Sequence, residues 1–76
     1  MVLSRAQIQD LSRAGLRKEQ IEIVVHNLEE AINSKIIGRE TVAIVVHNLV
    51  NDEAYRRQFF TNPQNFIKEA NPQPSP

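Results

Sequence analysis

The two histidines, His26 and His47, are the only imidazoles in a chain of 76 residues that has no cysteine, so a metal site with nitrogen or sulfur side-chain ligands would have to centre on them. Glu22 and Glu30 lie four residues on either side of His26. On one helix face this Glu-His-Glu run has the residue types and spacing to hold a divalent cation. The corresponding positions around His47 are Ala43 and Asn51, so the bracket does not recur. Solvated histidines are the expectation, with no metal and no other cofactor. Nucleophilic catalysis finds no better footing. Ser4, Ser12, Ser34 and Ser75 fall at caps, on an outer helix face or in the last residues, and none has a base placed to activate it. Gly15 and Gly38 stand alone and make no phosphate-binding loop. The reading is of a protein that is not an enzyme. A single domain this short buries only about 60% of the surface its unfolded chain exposes, which leaves little to wall a cleft.

The elements that position these residues are helices. Ser4 is followed three residues later by Gln7, with Leu3 and Ile8 at the positions of a hydrophobic staple, so a helix should begin at Ser4. Ile8, Leu11 and Ala14 give its apolar face, and Gly15 supplies a left-handed terminator. From Arg17 to Asn33 there is neither Gly nor Pro, and Ile21, Val24, Val25, Leu28 and Ile32 recur at helical spacing. The alternation of Ile21, Ile23 and Val25 would suit a strand, but the stripe continues for about three turns, beyond a typical strand of 5 or 6 residues. Gly38 marks the next turn. Ile23-Val24-Val25-His26-Asn27-Leu28 then returns letter for letter as Ile44-Val45-Val46-His47-Asn48-Leu49, at an offset of 21 residues.

Continuing that third helix at about 100° per residue would set Glu53 on the apolar face beside Val46. The helix must therefore stop or kink, and Asn51 and Asp52 are cap residues at the right place. Tyr55 and Phe59 lie one turn apart in the segment that follows. Asn62 before Pro63 opens a last short helix with Phe66, Ile67 and Ala70. The predicted fold is all-α: a compact bundle of four or five short helices in one domain over residues 1–70. Its aromatic end is built from Phe59, Phe60 and Phe66. Residues 71–76, with Pro72, Pro74 and Pro76, are expected to form a disordered tail.

Nine Lys or Arg balance nine Asp or Glu, giving zero net charge, which removes the general attraction to nucleic acid or to an anionic bilayer. The span Ala6 to Val25 does have a helix-turn-helix outline around Gly15. Its second helix carries Glu19, Glu22, Glu29 and Glu30 and no Lys or Arg from Glu19 through Asn33, a poor surface for phosphate. Arg56 and Arg57 before Phe59 and Phe60 are read as a helix with Phe59 in the core and its arginines in water, rather than as a base-stacking site. A nucleic-acid-binding regulator is kept as a second alternative. The longest apolar run, Val42 to Val46, is far below the roughly 20 residues of a membrane span, and the absence of cysteine suits a cytoplasmic protein.

The second half carries a resemblance. Arg39-Glu40-Thr41-Val42-Ala43-Ile44-Val45-Val46 is followed by Asp52 as an acidic cap, Tyr55 and Arg56, the apolar pair Phe59 and Phe60, and the Asn62-Pro63 cap. Over residues 39–67 this order resembles the nitrile-hydratase-type leader region of ribosomally made peptide precursors. The resemblance implies a helical recognition domain gripped by a modifying enzyme. There is no Gly-Gly junction and no cysteine for a modified core, so it implies a leader-like or free-standing domain.

The main functional expectation is a non-catalytic module that binds protein, a second copy of the chain being one candidate partner. On helical wheels Ile23 and Ile44 sit about 200° from the reference of each apolar stripe, and His26 and His47 about 140° from its centre. Ile23, His26, Asn27, Ile44, His47 and Asn48 are therefore the candidate interface. If the two repeated helices pack side by side, these residues would line one groove or dimer seam.

Overall fold

In a computed structural model, residues 2–70 are described, with the backbone alone for Ala70. They form five helices and no strand: α1 (Arg5–Arg13), α2 (Lys18–Asn33), α3 (Arg39–Asn51), α4 (Glu53–Phe59) and α5 (Pro63–Ala70). The disordered tail expected over residues 71–76 lies outside the described residues. None of these helices is long and apolar enough to cross a membrane.

Local chemistry accounts for most boundaries. The Ser4 hydroxyl accepts from the Gln7 N–H at 3.1 Å and the Gln7 side chain accepts from the Ser4 N–H at 2.9 Å, a complete capping box. At α2 only half of that device is present, with the Gln20 side-chain oxygen accepting from the Arg17 N–H at 2.8 Å. Asp52, in extended conformation, ends α3 and caps α4 by accepting from the Tyr55 N–H at 3.0 Å. That break leaves Glu53 in solvent, as the charge argument requires. Asn62 accepts from the Asn65 N–H at 3.3 Å at the head of α5.

α1 and α2 end in the same backbone motif. After α1, Gly15 donates to the Ser12 carbonyl and Leu16 to the Leu11 carbonyl; after α2, Lys35 donates to Ile32 and Ile36 to Ala31. Both are Schellman terminators, which need one left-handed residue. Gly15 meets this at φ 106°, but the second is Lys35 at φ 61°. Gly38, the expected turn marker, is instead the extended N-cap of α3 at φ −101°.

The helices pack in a ring. α1 contacts α2 and α3, and α5 contacts the same two helices, while α4 lies along α3 and touches α5. The two repeated helices are thus not one of the main packed pairs. The radius of gyration of 11.6 Å is close to the roughly 11 Å of a compact chain of this length. Inside the ring Leu11, Val24, Leu28, Val45, Leu49, Phe59 and Ile67 are fully buried. Each large apolar side chain so buried is worth about 1.5 to 3 kcal/mol. Leu28 and Leu49, the last residues of the repeated segment, hold equivalent core positions.

Two expectations change at the core. Ile21, Val25 and Ile32, read as core from their spacing, are only half-buried, and the centre of the α2 stripe is Val24, Leu28 and Ala31. Of the two arginines expected in water, Arg57 is exposed but Arg56 is half-buried. It reaches back to donate to the carbonyls of Leu49 at 2.9 Å and Val50 at 3.1 Å, serving carbonyls that the end of α3 leaves open. Phe59 is buried at the aromatic end, with Phe60 edge-on at 5.2 Å. Tyr55 meets Phe66 edge-on at 5.3 Å.

Candidate functional site

The repeated segment is helical in both copies, and the ring decides which of its faces reach solvent. Ile23 and Ile44 remain exposed, at 42% and 39%, and are the exposed large hydrophobic residues of the described chain. His26 and His47 are exposed as well. His26 Nε2 lies 3.7 Å from Glu30, while His47 Nδ1 lies 3.3 Å from the Asn51 amide, so the two imidazoles have different neighbours one turn on. Glu22 does not join His26 and Glu30 in a three-ligand cluster, and no other such cluster occurs among the described residues.

Asn27 and Asn48 are half-buried and turned to other tasks. Asn27 donates to the Ile23 carbonyl at 2.7 Å and accepts from the Gln64 side chain of α5 at 2.8 Å. Asn48 faces the Tyr55 phenol on α4, whose buried hydroxyl lacks a hydrogen bond of good geometry. Burial pushes the Tyr55 pKa above its ordinary value, the Asn48 amide working against that rise and the Glu69 carboxylate adding to it.

The six candidate residues therefore divide. Ile23, His26, Ile44 and His47 form the outward part of the repeat; Asn27 is bonded to α5 and Asn48 faces Tyr55 of α4. A single seam of both copies would need α2 and α3 side by side. They instead approach each other at their linked ends, where Glu29, Ile32 and Asn33 border a depression with Arg39, Val42 and Ala43. The outward correspondence is longer than six residues, since Lys18-Glu19 at the start of α2 matches Arg39-Glu40 at the start of α3 in charge and position. That signal was present in the sequence at the same offset of 21.

One feature was not anticipated from spacing. Between α1 and α2 runs a groove of about 610 Å³ with Ile8, Leu16, Ile21 and Val25 along its floor. Ser12, Lys18, Glu22, His26 and Glu29 border it. The half-burial of Ile21 and Val25 is the trace of this groove, because α1 covers only part of the α2 stripe. A search of family models, of curated proteins and of solved structures finds no match to this chain.

Proposed function

We propose that this chain is a small, non-catalytic protein-binding module of the cytoplasm, with a second copy of itself among the partners it accepts. One exposed isoleucine is ordinary on a protein surface. Here the same exposed isoleucine, followed three residues later by an exposed histidine, occurs at equivalent positions of two helices. This repeated outward pair is the observation that carries the reading. Covering either isoleucine would remove apolar surface from water and stabilise a complex, at about 25 cal/mol per Å².

The test is affinity capture from the native host, using the tagged chain and the double variant Ile23→Asp/Ile44→Asp as baits, with mass spectrometry of eluate and bait. The expected result is a stoichiometric partner, or an untagged second copy, held by the native chain and lost by a variant that still unfolds in one cooperative thermal transition. Identical proteins on both baits would overturn the proposal. A modifying enzyme or peptidase on the native bait, with that bait trimmed near its C-terminus, would transfer the reading to a leader-like domain.

A further inference from the structure

The groove between α1 and α2 adjoins a helix whose charges are almost all of one sign. Glu19, Glu22, Glu29 and Glu30 are exposed on α2, and from Glu19 through Asn33 that helix has no Lys or Arg. Lys18 also borders the groove and Arg39 shares the neighbouring depression with Glu29, but among the described residues neither lies within 4.0 Å of the Glu22 or Glu29 carboxylate. An apolar floor beside a rim on which the carboxylates Glu22 and Glu29 outnumber the one lysine, Lys18, is complementary to a surface that is apolar on one side and cationic on its flank.

The occupant's backbone is also constrained. The described residues contain no strand, so the groove offers no sheet edge on which an extended peptide could pair. A helix satisfies its own backbone and presents side chains at a spacing that matches two flanking helices. The stretch of α2 from Ile21 to Glu29 rises about 12 Å, or two turns. We propose that the α1/α2 groove receives a basic amphipathic helix. Its apolar residues seat against Ile8, Leu16, Ile21 and Val25, and its Lys or Arg residues face Glu22 and Glu29. This deepens the protein-binding reading and rests on it, on a surface that excludes Ile23 and Ile44 and shares only His26 with the repeated pairs.

Two synthetic amphipathic helices with the same leucine face, one flanked by Lys and one by Glu, provide the probes for titration into isotope-labelled chain followed by NMR. The Lys-flanked helix should bind saturably, with shifts concentrated on the amides of Ile8, Ser12, Ile21 and Val25. It should bind about tenfold tighter than the Glu-flanked helix, as expected for two exposed ion pairs replaced by two repulsions. The variant Glu22→Lys/Glu29→Lys changes exposed side chains only and should invert the preference. Equal affinity for both probes, no saturable binding, or shifts centred away from the groove would overturn the assignment. If isoleucine-dependent capture persists while the Lys-flanked helix fails to bind, the groove proposal alone fails; if both are absent, the broader reading fails with it.

Discussion

The Gln64 side-chain amide of α5 donates to the Asn27 side-chain oxygen of α2 at 2.8 Å and approaches the Asn27 carbonyl at 3.3 Å, joining residues 37 positions apart. The capping hydrogen bonds and those of Arg56 link residues no more than seven apart, whereas this contact fastens the C-terminal helix to the first copy of the repeat. Asn27 in turn anchors its own amide on the Ile23 carbonyl. Gln64→Ala and Asn27→Ala should each lower stability by about 1 kcal/mol. In a double-mutant cycle by urea denaturation they should show a coupling of about 0.5 to 1.5 kcal/mol. Strict additivity would mean that α5 is held by its apolar face alone.

Within the repeat, burial separates stability from surface. Leu28→Ala and Leu49→Ala should each cost about 2 to 5 kcal/mol, because both side chains are fully buried. Ile23→Asp and Ile44→Asp, at exposed positions, should change stability by only about 0.5 kcal/mol. Thermal melts of the four variants decide this, and an unchanged melting temperature for both alanine variants would refute the helix register.

Lys35 holds a left-handed conformation at φ 61° that a side chain disfavours by roughly 1 to 2 kcal/mol. Part of that cost is offset by the greater freedom of glycine in the unfolded chain. Lys35→Gly is therefore expected to stabilise the fold by about 0.5 to 1 kcal/mol, raising the melting temperature by roughly 2 to 8 °C. Gly15→Ala should act in the opposite sense. Its φ of 106° is strained for alanine even though no heavy atom lies within 4 Å of the added methyl. A lower melting temperature for Lys35→Gly would disprove the terminator assignment.

Tyr55 is the sole tyrosine in a chain without tryptophan, so its ionisation can be followed by phenolate absorbance. Burial holds the folded pKa above the ordinary 10.0. The neutral phenol is thus favoured by folding, and the contribution of this group is complete below about pH 10 and is lost as pH rises through the folded pKa. Alkaline titration of the native chain should give a higher midpoint than titration in denaturant, with stability falling along the same limb. A native midpoint at or below the denatured one would contradict the buried placement.

The amino-acid order by itself determined the helical class and most helix ends. Ser4, Asp52 and Asn62 act on backbone groups three residues away, and Gly15 supplies its turn without outside help. Such contacts are made by neighbours in the chain, so their residue types suffice to read them. The outward phase of Ile23, His26, Ile44 and His47 was legible for the same reason, since a helix of fixed pitch assigns each residue a direction.

Only the tertiary structure decided how much of each face is covered, because that depends on how separate helices pack against one another. Asn27 and Asn48 share a phase with exposed positions, yet α5 meets one and Tyr55 of α4 faces the other. Ile21 and Val25 belong to the apolar stripe by spacing, but α1 leaves them at the floor of a groove. Arg56 has the composition of a surface residue, and the end of α3 gives it two carbonyls. Periodicity records the direction of a side chain, whereas burial is settled by which helix arrives in that direction, and an arrival from another helix, 37 residues away for Gln64 or seven for Arg56, leaves no mark in the period of the helix it meets.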